Sequence, residues 1–268
     1  MFFCKRTAVA EKRKQEARPL ATMERHILQP RMRLPLQQLF QVAKSDRCSK
    51  MTKIGALMFW SRLAKYSSAN DSFIDAVVSC GIKDQAIFHV SMLTSGHTIV
   101  HATEQNGVVS ESLFNYLKRM VKDGCGMRVS IMNVLHQPLP VRQRAVNWAQ
   151  SKVGCAYNDI FNENCINSKG QEAYYCCQLI RKAYEAAVGV PVFTLHPLNF
   201  TNADGFIDPY WKKYFNERNM DVPINECGSH PSRLAASENL EKLCSLAVRN
   251  MSEAMQCSER ARLLFSDE

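Results

Sequence analysis

The chain has 268 residues, 46% hydrophobic and 22% charged, enough to bury one substantial core or two small ones. Its longest apolar run, Ile54 to Trp60, is far shorter than the roughly 20 residues of a membrane span, which excludes a spanning helix. The net charge of +9 sits at one end: residues 1–53 hold 13 Lys/Arg against 4 Asp/Glu, and the remainder holds 21 against 21.

A neutral body therefore carries a basic arm, residues 1–50. Such an arm suits an anionic surface, nucleic acid or an import receptor, and equally a solvated tail with no partner. Nucleic acid ranks low, since the chain has no base-reading or aromatic-stacking motif. The arm is Arg-rich like a mitochondrial presequence, but Glu11, Glu16 and Glu24 count against import. No secretory pattern is seen, and a cytoplasmic location is expected. The eleven cysteines agree with that: the count is odd and no C-x-x-C occurs, which favours reduced thiols over a disulfide framework or a zinc site. No metal or other cofactor is expected.

In chain order, the arm is broken by Pro19, Pro30 and Pro35 and holds at most a short helix near Leu36–Ala43. The packed body opens with the strand-like run 54–60, followed by a helix around Asp71–Ser79 with Phe73, Ile74, Val77 and Val78 as its apolar stripe. The segment QAIFHVSMLTSGHTIVHAT alternates on either side of Thr94-Ser95-Gly96 and reads as a β-hairpin. A two-residue loop would put His89 and His101 on opposite faces. A three-residue loop with a left-handed Gly96 pairs Leu93 with His97 and His89 with His101, and this is the register expected. A helix over 110–120 has Ser110 as cap and Glu111 in its first turn. Met127 to Val134 reads as a strand, and Pro140 opens a helix running to Lys152 with Val141, Ala145, Trp148 and Ala149 inward. An Asn-rich loop, 157–168, leads to a helix starting at Cys176-Cys177 and ended by Gly189 and Pro191. Residues 237–257 are expected as a last amphipathic helix, within a helical extension spanning 236–268.

The chemistry-bearing residues stand out from this layout. A cysteine in the first turn of a helix has its thiolate stabilised by unpaired backbone N–H groups and the helix dipole. Cys176 and Cys177 both occupy that place. The base must come within about 3 Å, and a strand-borne imidazole is held more rigidly than one on a loop, which favours His89 over His136, His196 or His230. His101 is then placed to fix the tautomer and tilt of His89, as the third member of a triad does. Each residue type also has an ordinary packing role. Two histidines on one face beside Ser91 and Thr103 are nevertheless poor core material.

These pieces resemble a known family: the circularly permuted papain-like proteins related to NlpC, in the YiiX/YaeF-type amidase branch. The matching runs, in order, are GALMFW, FHVSML, VHATEQNGVV, VGCAYNDIF, YYCCQLIRKAY and the downstream HPLNFTNADGFIDPYWKKYF…MDVP. The resemblance covers about residues 53 to 235. It implies an α+β, permuted papain-like (NlpC-type) catalytic domain over 51–235, with an antiparallel sheet packed on helices and the nucleophile at a helix N-terminus. The family's Tyr-Cys-Ser-Glu-Leu motif puts the reactive thiol at Cys176 and Cys177 in the Ser position, and the first-strand His maps to His89. The third polar position is often Glu in the branch and is His101 here, as in the related lecithin:retinol acyltransferase-like thiol enzymes, with Glu104 as the fallback orienter. Gln178 replaces the motif's usual Glu, and Ala56 replaces the acid of the opening Gly-Asp. Tyr157 resembles the family's Gly-x-x-Tyr element and is a candidate second oxyanion donor or substrate contact. Tyr175, Cys177 and Gln178 are further candidates, and Tyr210 and Trp211 are candidates to line the groove.

The reading is a cysteine hydrolase that forms a thioester acyl-enzyme from an amide, peptide-like, ester or thioester substrate. Its substrate is a small molecule, peptide or lipid. The rivals are a thiol acyltransferase or phospholipase-type lipid enzyme, and a catalytically idle binding module.

Overall fold

Strand β2 (Leu57–Arg62) sits at the heart of the molecule because its run Leu57-Met58-Phe59-Trp60 is apolar on both faces of the pleat. The computed structural model describes residues 52–63, 72–122, 126–202, 204–224 and 226–266. The basic arm and the short helix expected near Leu36–Ala43 lie outside them. With β3 (Ile87–Leu93), β4 (Thr98–Thr103), β5 (Gly107–Ser112), β6 (Met127–Val134) and β9 (Leu240–Val248), β2 builds a six-stranded antiparallel sheet in the order β5-β4-β3-β2-β6-β9. Two-residue strands pair outside it: β1 (Thr52–Lys53) with β10 (Phe265–Ser266), and β7 (His196–Pro197) with β8 (Cys227–Gly228). This mixed antiparallel and helical architecture is α+β.

Each face of the sheet buries its own core. On one, Leu57, Phe59, Val90, Met92 and Val100 pack against α3 (Leu139–Ser151) and α4 (Cys176–Val188), through Ala145, Ala149, Leu179, Ile180 and Ala183. On the other, Met58, Trp60, Leu93, Ile99 and Ile131 pack against α2 (Leu113–Lys122) and α7 (Met251–Leu264), through Leu113, Leu117, Ala254, Cys257 and Ala261. Each large apolar side chain among them contributes about 1.5–3 kcal/mol relative to exposure, so β2, buried on both sides, is the strand whose truncation costs most. Three shorter helices complete the body: α1 (Ser72–Ser79), α5 (Pro209–Asn216) and α6 (Pro231–Ala235). Among the described residues no helix is long and apolar enough to cross a membrane.

The expected strand at 127–134 and the expected helices near 71–79, 140–152 and from Cys176 to Gly189 all form. Gly189 closes α4 in the left-handed conformation, φ 90°, with its N–H donating to the Glu185 carbonyl.

Three expectations are corrected. The hairpin register is Leu93↔Ile99 and Met92↔Val100, not Leu93↔His97 and His89↔His101. Hydroxyls close the longer loop: Thr94 Oγ1 meets Thr98 Oγ1 at 2.7 Å, and the Thr94 N–H donates to the Thr98 carbonyl. Gly96 is not left-handed. Its missing side chain instead admits α7, since a Cβ there would lie 3.1 Å from Arg262 Cα. The slip moves the partner by two positions, an even step, so the facing of the histidines survives.

The helix expected over 110–120 begins only at Leu113. Ser110 and Glu111 belong to β5, where Val100↔Ser110 and Ile99↔Glu111 pair. The strand runs this far because its ladder with β4 continues to Thr98↔Ser112, and the Leu113 N–H donates to the His97 carbonyl. At its other end the Val108 N–H donates to the Cys155 carbonyl, so close that a Cβ on Gly107 would lie 2.2 Å from that oxygen. Last, 240–248 is a strand and not the start of a helix. Its leucines, spaced by three, follow the helical period, and the open edge of β6 decided the matter by offering a ladder from Met127↔Val248 to Val134↔Leu240, with an irregularity that leaves Leu243 unpaired. Only 251–264 is helical, capped by Asn250, whose side chain accepts from the Glu253 N–H.

Candidate active site

Strand β3 carries His89 to a point where its ring leaves the ladder. On one side His89 pairs with Trp60. On the other, the β3–β4 pairing ends at Met92↔Val100, and the rings of His89 and His101 bridge the gap, His89 Nε2 to His101 Nδ1 at 2.8 Å. His101, fully buried, reaches on from Nε2 to Glu111 Oε1 at 2.9 Å. Glu111 stands one same-face pair along the β4–β5 ladder from His101. Arg119 of α2 clamps the carboxylate with two bonds of 2.6 Å each. One turn earlier, Tyr116 packs edge-on against the His101 ring, centroids 4.9 Å apart, and against Trp60 at 4.6 Å. Helix α2 thus backs the whole row.

Electrostatics set the protons along this row. Burial, the largest influence, lowers His101 to about 4, outweighing its bond to Glu111, so at neutral pH the ring is uncharged. Glu111 is lowered to about 2 by His101 and Arg119 against the cost of burial, and is ionised. The contact between them is therefore a charge-assisted hydrogen bond from a neutral imidazole. An ionised Glu111 must accept, so His101 Nε2 carries its proton and His101 Nδ1 accepts in turn. His89 Nε2 is then the donor to His101, and His89 Nδ1 is the ring nitrogen left for another partner.

Cys176 opens α4, whose N-cap residue Tyr175 gives no side-chain cap, so the first-turn amides are left to other acceptors. The Cys176 thiol is held well below the ordinary value. Cys177, with its sulfur 3.9 Å away, is the largest cause; His89 and the Val90 backbone add to it, against the opposing effect of burial. Cys177 is pushed the other way, by burial and by Cys176. The two sulfurs therefore divide into a ready thiolate and a reluctant thiol.

Cys176 and His89 both line a cavity of about 400 Å³, together with Glu104, Tyr157 and Tyr175. Tyr157 is pushed well above its ordinary pKa by burial and then by Cys176, so its hydroxyl keeps its proton. Tyr175 is braced from behind: its hydroxyl accepts from the Ser229 N–H at 3.1 Å and donates to Glu163, which also pairs with buried Arg181. Gln178 is fully buried and does not line the cavity. Its amide oxygen accepts from Asn158 at 2.8 Å and its nitrogen donates to the Asn162 carbonyl at 2.7 Å, tying the Asn-rich loop to α4. Within that loop Phe161 adopts φ 55°, unusual for an aromatic residue, and is held there by Trp211, Phe200 and Tyr175 rings 5.5 to 6.1 Å away. Trp211 lines the cavity, and Tyr210 packs on it from outside the lining.

The structure thus brings Cys176, His89 and His101 into one neighbourhood, with Cys177 beside them and Glu104, Tyr157 and Tyr175 around the cavity. It separates Gln178 from them. Glu111, Arg119 and Tyr116 are the members that the sequence reading did not single out. The available signal was the alternation Val109-x-Glu111 in phase with Ile99-x-His101, hidden by assigning Glu111 to a helix.

An antiparallel sheet with a cysteine-headed helix against one face and histidines on its strands is the arrangement of the permuted papain-like class. A model of the permuted papain-like amidases, the YaeF/YiiX C92 family, matches residues 53–244, and the chain belongs to that family. Among solved structures it is similar to the crystal structure of the metalloprotein yiiX from Escherichia coli O157:H7. The TM-score is 0.53 at 16% identity, over 72% of this chain and 96% of that one, a likeness of fold. No curated protein sequence matches the chain. Among the described residues no three His, Cys, Asp or Glu side chains gather in a group that could hold a metal ion.

Proposed function

We propose that this family member is a cysteine hydrolase acting on an amide or peptide-like bond, or on an ester or thioester, through a thioester acyl-enzyme on Cys176. The observation that carries the reading is the unbroken row from Glu111 through His101 to His89, which leaves His89 Nδ1 as the acceptor beside a thiol already held low. His89 takes the Cys176 proton. The resulting imidazolium is stabilised at Nε2 by neutral His101, which is itself polarised by Glu111. The thiolate attacks the substrate carbonyl, and the Cys176 N–H at the uncapped start of α4 and the Tyr157 hydroxyl are the proposed oxyanion donors. Collapse breaks the carbonyl–leaving-group bond as His89 Nδ1 protonates the departing atom. Water, deprotonated by His89, then releases the acid and restores the thiol. His101 acts through His89 and Glu111 through His101; both are positioning residues.

In this reading Cys177 serves as a donor to the thiolate, Glu104 and Tyr175 as cavity wall, and Gln178 as a structural brace. The compartment we propose is the cytoplasm, on the odd cysteine count. The basic arm, residues 1–50, is proposed to lie outside the chemistry.

The test is covalent labelling with iodoacetamide across pH, located by mass spectrometry. Cys176 should be the site labelled, with a midpoint well below the ordinary thiol value of about 8.5. In Cys176→Ala the labelling with the low midpoint should vanish, leaving only the background reaction of exposed thiols such as Cys227, and kcat/KM on any substrate found should fall about 10⁴-fold or more. An ordinary midpoint, or labelling centred on Cys177, would sink the assignment.

A further inference from the structure

The cavity beside Cys176 is chemically divided, and the division names a substrate class. One part of its lining is polar and comes from the end of β4 and the turn after it, Thr103, Glu104, Gln105 and Asn106, which continue the strand carrying His101. The other part is mainly apolar and comes from α1, α5, the loop before α4 and the loop before α5, with Phe73, Ile74, Phe161, Phe200 and Trp211, beside the polar Ser229 and His230. Phe161, Phe200 and Trp211 are almost fully buried and lean on one another, ring centroids 5.3 to 6.1 Å apart, so this wall is preformed. Phe73 packs edge-on to Trp211 at 5.8 Å and to Tyr157 at 6.5 Å, which joins the apolar wall to the proposed oxyanion donor.

From this we infer that the substrate is an N-acyl amide whose medium-length hydrocarbon chain fills the aromatic-walled part of the cavity, while its polar amine leaves along the β4–β5 turn. The inference rests on the hydrolase reading and adds the substrate class to it. The leaving nitrogen must face His89 Nδ1 to receive its proton, and the acyl half is assigned to the aromatic wall because that wall offers the preformed apolar surface a hydrocarbon chain needs. In the first step the Cys176 Sγ–carbonyl bond forms, the C–N bond breaks, and the proton taken from the thiol passes to the departing nitrogen. Water then adds to the thioester, giving a fatty acid and the free thiol. Bonds and protons balance with water as the sole co-reactant.

The experiment uses the full chain and a series of N-acyl-7-amino-4-methylcoumarins, acetyl, butyryl, hexanoyl and octanoyl. Turnover is measured with the wild type, and binding by fluorescence with Cys176→Ala. Each methylene should raise kcat/KM about fourfold until the cavity is full, so octanoyl should exceed acetyl by roughly 100-fold or more. The Cys176→Ala protein should show the same gradation in Kd. Val77→Trp, which fills the wall from α1, should cut the octanoyl-to-acetyl ratio at least tenfold. Phe73→Ala, which enlarges the cavity, should move the optimum to a longer chain, and either variant suffices if the other does not fold. Cys176-dependent turnover with no preference for chain length would overturn the acyl pocket and leave the hydrolase standing. Graded binding to Cys176→Ala without any turnover by the wild type would keep the pocket and remove the hydrolase. Flat binding together with flat turnover would overturn the acyl pocket outright.

Discussion

Two buried histidines, His101 on β4 and His230 at the start of α6, differ in a way that explains the site. Burial holds both at about 4, so each is neutral at physiological pH. His230 even lines the cavity. Yet its Nε2–H donates to the Val77 carbonyl at 2.8 Å, and its Nδ1 accepts from Ser232, from the backbone N–H at 3.1 Å and from the hydroxyl at 2.8 Å. A backbone carbonyl cannot shift its charge, so the row ends there, and the ring serves to pin α6 to α1. His101 has the same burial but connects an ionised carboxylate to a second imidazole. A perturbed pKa alone would have chosen both rings; where each second nitrogen goes separates a relay from a rivet.

The sharpest way to break this contrast is to remove one ring at a time. His101→Asn should lower kcat about 10²- to 10⁴-fold with Tm little changed beyond the loss of packing, because His89 loses its tautomer. His230→Gln should leave kcat within about threefold and lower stability by about 1–3 kcal/mol, read by urea unfolding. Equal losses of kcat in the two variants would erase the distinction. Glu111→Gln is milder, since a neutral amide still accepts from His101. About a 10- to 100-fold loss is expected, together with a shift of the acid limb of the pH–rate profile toward lower pH, because losing the carboxylate charge disfavours a protonated imidazole in the row. An unchanged profile would remove Glu111 from the row.

Acid should expose what the two histidines share. Each has a folded pKa of about 4, below the unfolded value of about 6.5, so the unfolded chain takes up the proton first. Their contribution to stability is complete above pH 6.5 and is lost as pH falls toward 4, on the order of 2 kcal/mol each by pH 5. Unfolding free energy measured at pH 7 and pH 5 should therefore drop, and the drop should shrink by about half in His230→Gln. The smallest expected effect belongs to Cys177. Cys177→Ala should raise the iodoacetamide midpoint of Cys176 and cost about tenfold in kcat/KM, and Cys177→Ser, which keeps a donor, should recover most of both. If both variants behave as the wild type, the low thiol owes its state to His89 and the helix alone.

How far this was legible beforehand depended on the range of the interaction. The β6 strand and the helices from Ser72, Leu139 and Cys176 obey local periodicity and punctuation such as Gly189, and they were readable. The common facing of His89 and His101 was readable too, because strand parity tolerates a two-residue error in register. The register itself was not, since Gly96 answers to α7, more than 150 residues away in the chain, and not to its own turn. Glu111 was misplaced for a similar reason: Ser-Glu before an apolar run resembles a helix cap, and only the pairing with β4, as far as Thr98↔Ser112, carries the strand through it. The leucines of β9, spaced by three, follow the helical period, and only the open edge of β6 makes 240–248 a strand.

The sequence by itself determined the chemical cast, a thiol pair at a helix start and two in-phase histidines in strands, because those features rest on residue type and on periods of 2.0 and 3.6. Only the tertiary structure decided how the cast is connected: which nitrogen meets which atom, that Glu111 and Arg119 terminate the row, and that aromatic residues from α1, α5 and two loops enclose one apolar wall. Those outcomes depend on the free energy of bringing distant segments together, which favours one long-range arrangement among many that local pattern leaves equal.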